Sequence, residues 1–158
     1  MTSLHSPHTA SRPQQADTPV IIVGVTPGQP TAVVSEAARF ADRFGAELVC
    51  ASVDAGSYEA DRLADGSVVA MPIDSDLAEA RVEQFDPRLR AEIAAVLDPL
   101  PIRWSTRALA GGAAQQLSRL ADELGAEMIV VGTCERGVRG PLHEFFNGSV
   151  AVQLAHHQ

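Results

Sequence analysis

The stretch VIIVGVTPGQPTAVVSEAARFADRFGAELVCASV, Val20 to Val53, decides the fold. Its first six residues, Val20 to Val25, form a continuous run dominated by β-branched side chains and ending at Thr26-Pro27-Gly28. Such a run predicts a strand buried on both faces, followed by a turn. From Thr31 to Phe44 the apolar positions Val33, Val34, Ala37, Ala38, Ala41 and Phe44 recur at steps of three and four, and Gly45 stands where a helix stops. Ala46 to Val53 is then a second apolar strand. Strand, helix and strand in this order imply a parallel pair joined by a right-handed crossover.

The same alternation continues outward. Asp86-Pro87 has the form of a helix start, with an aspartate cap and a proline in the first turn, and Leu89, Ile93, Val96 and Leu97 supply an apolar face. A shorter helix is predicted before it, around Leu77 to Phe85. Arg103 to Leu109 is a third strand, Gly111-Gly112 opens a helix from Ala113 to Leu124 that Gly125 closes, and AEMIVVG, Ala126 to Gly132, is a fourth strand. A last helix is predicted from Gly148-Ser149-Val150. The whole reads as a doubly wound α/β domain, a mostly parallel sheet with helices on both faces. Asp54 to Asp74 has no sustained period, but Asp65-Gly66 marks a tight turn between short extended pieces. Because this segment follows a parallel strand, it lies at the C-terminal edge of the sheet, where open α/β folds bind ligands; a lid, a partner surface and disorder are all open for it.

The 158 residues suffice for one domain, taken as 18–158 after a polar, Pro-, Ser- and Thr-rich tail at 1–17 that is expected to be disordered. Twenty acidic against twelve basic side chains leave a net charge of −8, which argues against nucleic acid as a partner. The apolar runs are far shorter than the roughly 20 residues of a membrane span, and the N-terminal stretch lacks the pattern of a secretion signal. Two cysteines, Cys50 and Cys134, are too few for a disulfide scaffold, so a cytoplasmic location is expected, with Cys50 in the core.

The final third carries the chemistry. VVGTCERGVRGPLHEFFNGSVAVQLAHH, Val130 to His157, leads from a strand into Gly132, then a loop with Arg136 and Arg139, then Asn147-Gly148-Ser149 at a helix start. Glycines admit backbone amides close to phosphate oxygens, and a helix N-terminus favours negative charge. Together with VIIVGV, FGAELV and ADELGAEMIVVG, this loop makes the chain resemble the universal stress protein family over nearly all of its ordered length. The resemblance implies that family's α/β fold and, at a loop similar to G-x2-G-x9-G-(S/T), ATP or another adenine nucleotide as ligand. It places the site at Gly24, Thr26 and Val53 on the strand ends and at Gly132, Arg136, Arg139, Gly148, Ser149 and Val150 along the loop. Gly132 and Gly148 would donate backbone amides, Ser149 would cap the helix, and Arg136 or Arg139 would complement charge.

Three departures qualify this. Glu135 stands where the second glycine belongs, and the interval from Gly132 to Gly148 is three residues longer than the motif's. Thr26 stands where the nucleotide-binding branch has an aspartate against the nucleoside. A hydrogen bond to a charged group contributes roughly 1.5–3 kcal/mol against about 1 for a neutral one, so weakened nucleotide affinity is expected; another anion, a different nucleotide or no ligand stay open. The family also carries an apolar strand after LAHH, which the sequence up to Gln158 does not show, and Met128 to Gly132 is therefore expected at a sheet edge that a second copy or another chain would cover.

No metal site is expected: HEFFN, His143 to Asn147, lacks the second histidine of a zinc motif. Nor is a nucleophile visibly paired with a base, so a homodimeric binding or regulatory module is expected instead of an enzyme, with a non-nucleotide interaction protein and a nucleotide hydrolase as alternatives.

Overall fold

The computed structural model describes residues 18–73 and 79–133. The expected disordered tail at 1–17, the last helix from Gly148, and Cys134, Glu135, Arg136, Arg139, Gly148, Ser149 and Val150 lie outside the described residues. The elements run β1 (Val20–Gly24), α1 (Thr31–Phe44), β2 (Glu47–Asp54), β3 (Ser57–Arg62), β4 (Val68–Pro72), β5 (Arg81–Val82), α2 (Pro87–Leu97), β6 (Trp104–Ala110), α3 (Ala113–Leu124) and β7 (Met128–Val130).

Among the described residues, β6, β2, β1 and β7 form one sheet in that order, and every pairing in it is parallel. Its two central strands, β1 and β2, alternate between two cores, as the two-residue side-chain period demands. Ile21 and Val23 of β1 with Leu48 and Cys50 of β2 face α1 and α2, while Ile22, Val49 and Ala51 face α3 and β4. Helices thus cover both faces of a parallel sheet. On α1 the buried residues Val34, Ala37, Ala38 and Ala41 follow the helical repeat, and Gly45, in the left-handed conformation, ends the helix by donating back to Ala41 and Asp42. The Asp86 carboxylate accepts from the Arg88 amide and caps α2, with Pro87 in its first turn. β7 is the edge strand among the described residues, paired only with β1.

One segment settles what the sequence left open, and another differs from the expectation. Through Ile73 the stretch after β2 is an ordered antiparallel hairpin, β3 with β4, turning at Asp65-Gly66. β4 buries Val68 and Ala70 in the second core beside Leu117 and Leu120 of α3. The short helix predicted around Leu77 to Phe85 is replaced, in its described part, by β5, which pairs Val82 with Val69 and Arg81 with Ala70. The Glu83 amide extends this pairing by donating to the Val68 carbonyl at 2.7 Å. Sheet pairing with an already buried strand has outweighed a weak local helical pattern.

Candidate functional site

The strand order β6-β2-β1-β7 reverses its direction of growth between β1 and β7, which makes the C-terminal ends of these two strands the switch point of the sheet. This is the position at which open α/β sheets take ligands. A small, open cleft occupies it. Its wall is formed by Gly24, Val25, Thr26 and Gln29 at the end of β1, by Ala51 and Val53 of β2, and by Ala113, Leu117, Val131 and Gly132 from α3 and the end of β7. Four residues singled out in the sequence, Gly24, Thr26, Val53 and Gly132, therefore converge. The other five lie outside the described residues.

Close packing explains the glycines. A Cβ on Gly24 would stand 3.3 Å from both Leu117 Cδ1 and Val131 Cγ1, and one on Gly132 would stand 3.1 Å from Val33 Cγ2. Both positions let neighbouring elements approach the cleft floor more closely than a side chain allows. Between them, Thr26-Pro27-Gly28-Gln29 forms a tight turn in which the Gln29 amide donates to the Thr26 carbonyl at 3.2 Å. Proline at its second position and glycine with φ +76° at its third are what a type II turn requires.

The sequence reading overlooked Gln29. Its Oε1 accepts from the Thr26 amide at 3.3 Å and from the Thr26 hydroxyl at 3.4 Å, while its Nε2 is buried and has no hydrogen-bond partner among the described residues. Its place between Gly28 and Pro30, directly after a strand that ends in a ligand-type turn, was the available signal. Gly111-Gly112 was another: read only as a helix opener, it brings Ala113 to the wall, and α3 starts without a side-chain cap or an acidic residue in its first turn.

Every described side chain in this wall is uncharged. The ionic groups sit beyond it, in a network that fastens the hairpin to α3. Arg62 donates to both oxygens of Glu59, through Nε at 3.0 Å and Nη2 at 3.1 Å, and through Nη1 to Glu123 at 3.0 Å. Arg119 adds a 3.3 Å contact to Glu59. The Arg62 hydrogen bonds hold the Glu59 carboxyl below its ordinary range. Next to the cleft's β2 wall, Asp54 accepts from the Ser57 hydroxyl at 2.8 Å and the Gly56 amide at 2.9 Å, which fixes the exit of β2 into the hairpin. Burial, and then the charge of Asp54, push the Glu83 carboxyl up. Cys50 is buried in the first core, where desolvation raises its thiol to about 12, so it is an inert packing group.

Among the described residues no group of three His, Cys, Asp or Glu side chains is placed to hold a metal ion. No described helix is long and apolar enough to cross a membrane.

A parallel sheet covered by helices on both faces, with a cleft at its C-terminal edge, defines a doubly wound α/β domain. The chain belongs to the universal stress protein family, whose model matches residues 18–158. Among solved structures, it is similar to a universal stress protein from Archaeoglobus fulgidus (16% identity, 88% of this chain and 87% of the other, TM-score 0.54). It is also similar to a universal stress protein solved in complex with cAMP (19% identity, 89% and 90% coverage, TM-score 0.52). A third similar structure is a family member from Burkholderia pseudomallei (22% identity, 91% and 92% coverage, TM-score 0.50). No curated protein matches the chain.

Proposed function

We propose that this chain is a non-catalytic binding and regulatory module of the stress response, acting in the cytoplasm through the cleft between β1, α3 and the end of β7. The observation that carries the reading is the convergence of Gly24, Thr26, Val53 and Gly132 on one cleft at the sheet's C-terminal edge. An adenine nucleotide is the ligand class that the resemblance offers, and a relative of the same fold was solved with cAMP. Thr26 supplies a hydroxyl, already engaged with Gln29, in place of a charged acceptor, so the affinity is lower than a carboxylate there would give.

Thermal melting with millimolar ATP, AMP or cyclic AMP, each with magnesium, tests this. A ligand at 100 times its Kd stabilises by about 2.7 kcal/mol. For a domain of this size that is a rise of about 5–10 °C. Gly24→Val, which fills the floor, abolishes the rise. No rise with any of the three nucleotides refutes the reading.

A second reading, interaction with another protein chain, is favoured by one observation. β4 and the residue after it, Val68 to Ile73, are a continuous apolar run of the kind that strands buried on both faces carry, yet only Val68 and Ala70 enter the core. On the other side Tyr58, Ile73 and Val82 are 47%, 60% and 45% exposed. A homodimer closing over this face or over the β7 edge would cover such groups. Sedimentation of wild type and Val82→Asp tests the first arrangement: a dimer unaffected by the substitution excludes the hairpin face.

A further inference from the structure

The margin of the four-stranded sheet away from β7 is β6, which among the described residues pairs only with β2. Its register fixes which backbone groups that pairing uses. The Leu48 amide donates to the Arg103 carbonyl at one end of β6, and the Gly111 amide donates to the Asp54 carbonyl at the other, both at 2.9 Å. A strand residue turns its amide and carbonyl to the same side, and successive residues alternate. Ser105, Arg107 and Leu109 therefore bond β2, while Trp104, Thr106 and Ala108 turn their amides and carbonyls outward. No described backbone group pairs with that outer row. An open row of this kind is a template for an added strand.

The middle of the row is flanked by charge. The Thr106 side chain lies on the α2 face, where Arg90 Nη1 donates to its hydroxyl at 3.0 Å and the guanidinium stands 5.6 Å from the centre of the Trp104 ring. Arg107 leaves the strand on the opposite face, and its Nη1 turns back to donate to the outward Thr106 carbonyl at 3.2 Å. Neither guanidinium forms an ion pair among the described residues. Two acidic groups of the region are engaged elsewhere: Asp98 accepts from Trp104 Nε1 at 3.1 Å, and Asp65 accepts from the Ser67 amide at 2.9 Å. A second copy is a poor occupant, because antiparallel β6 edges centred on Thr106 would set the arginines of one copy against those of the other, and facing like charges destabilise a strand pair. Carboxylates answer this arrangement, since an arginine bonds them more strongly than it bonds a neutral carbonyl.

We propose that the outer edge of β6 is a docking site for an extended acidic segment of a partner protein, which adds as a strand beside Trp104, Thr106 and Ala108 and sets carboxylates on Arg90 and Arg107. Neighbouring acidic residues of such a segment point to opposite faces, so each reaches one arginine. Arg107 exchanges the Thr106 carbonyl for a carboxylate, which frees that carbonyl to accept from the incoming backbone. The net charge of −8 opposes an acidic chain at long range, so selectivity resides in these short contacts and not in steering. The edge is separated from β7 by β2 and β1, and the inference stands apart from the cleft.

The capped peptide acetyl-Thr-Val-Glu-Glu-Val-Thr-amide and its Gln-Gln counterpart test this on the full chain. In ¹⁵N spectra the Glu-Glu peptide shifts the outward amides of Trp104, Thr106 and Ala108 saturably, while the Ser105 and Arg107 amides, bonded to β2, move less. By fluorescence anisotropy the Gln-Gln peptide binds about tenfold or more weakly, the difference between charge-assisted and neutral hydrogen bonds. Thr106→Pro removes an outward amide that β2 does not use and abolishes binding. Arg107→Gln weakens the Glu-Glu peptide and leaves the Gln-Gln peptide unchanged. Equal binding of the two peptides, shifts confined to other residues, or no binding overturns the proposal. So does sedimentation of the free protein as a dimer that Thr106→Pro dissociates, which would assign the edge to a second copy. If Thr106→Pro does not fold, the wild-type shifts and Arg107→Gln decide.

Discussion

Replacing Arg62 with methionine keeps most of the aliphatic stem and removes the ionic hinge between the hairpin and α3. Arg62 and Glu59 side chains are only 16% and 10% exposed, so their paired hydrogen bonds are shielded from water. The Glu123 carboxylate, at 41% exposure, is a rim contact. Charge-assisted hydrogen bonds of this kind contribute about 1.5–3 kcal/mol, and an exposed ion pair adds a few tenths. Glu59 retains Arg119 at 3.3 Å, which prevents the full penalty of an isolated buried charge. The expected loss is therefore about 2 kcal/mol, or about 4–8 °C in melting temperature for a domain of this size. Hydrogen exchange supplies the local readout: the Leu63 amide, bonded to the Ser67 carbonyl, and the Ile73 amide, bonded to the Gly56 carbonyl, exchange faster in the variant, while β1 amides change only with global stability. In a double-mutant cycle with Glu59→Gln the coupling is about 1 kcal/mol or more. A melting temperature within about 1 °C of wild type, with unchanged hairpin exchange, refutes the view that this network holds the hairpin on α3.

The two perturbed carboxyls of the hairpin region have opposite pH signatures. Glu59 is depressed below 4.5, so its contribution is present above that ordinary value and is lost as pH falls through the lower folded-state value. Glu83 is raised above 4.5, so its protonated form favours the fold below 4.5 and that advantage is lost as pH rises through the folded-state value. Because Glu83 Oε2 is buried with no hydrogen-bond partner and Arg81 Nε stands 3.8 Å away, Glu83→Gln should stabilise by about 1 kcal/mol at neutral pH. Denaturant titrations should show this difference vanish below pH 4.5. Gly132→Val drives a branched side chain onto Val33 and Gln29; it should cost about 1–3 kcal/mol in chemical denaturation and remove any nucleotide-dependent thermal shift. In a Cys134→Ser background, Cys50 should stay unmodified by a thiol reagent until the chain is unfolded, as its buried, raised thiol requires.

The clearest gap between sequence and structure lies at residues 57–62. Ser57 and Glu59 face inward, opposite Pro72 and Ala70 of the partner strand, but the register shifts between Glu59 and Asp61, a bulge that breaks the two-residue period. The inward residues are also polar, since they meet Asp54, Arg62 and Arg119 instead of an apolar core. A strand with a bulge and a charged inner face leaves no hydrophobic pattern to find. The Asp65-Gly66 turn was legible because Asp65 accepts from the Ser67 amide locally, at 2.9 Å.

Sequence by itself determined β1, α1 and β2, then α2, β6, α3 and β7, the helix ends at Gly45 and Gly125, and the assignment to a doubly wound fold. These depend on patterns shorter than one element: apolar periods, capping aspartate and proline, and glycines at helix ends. Through the family resemblance it also singled out Gly24, Thr26, Val53 and Gly132, which the structure brings to one cleft. Only the tertiary structure decided that the hairpin after β2 is a packed layer joined to α3, that Ala113 and Leu117 face the same cleft as Gly132, and that the Gln29 side chain folds back onto Thr26. Those properties depend on which strands become neighbours and on which of two amide atoms meets the donors of Thr26, and no local period records either.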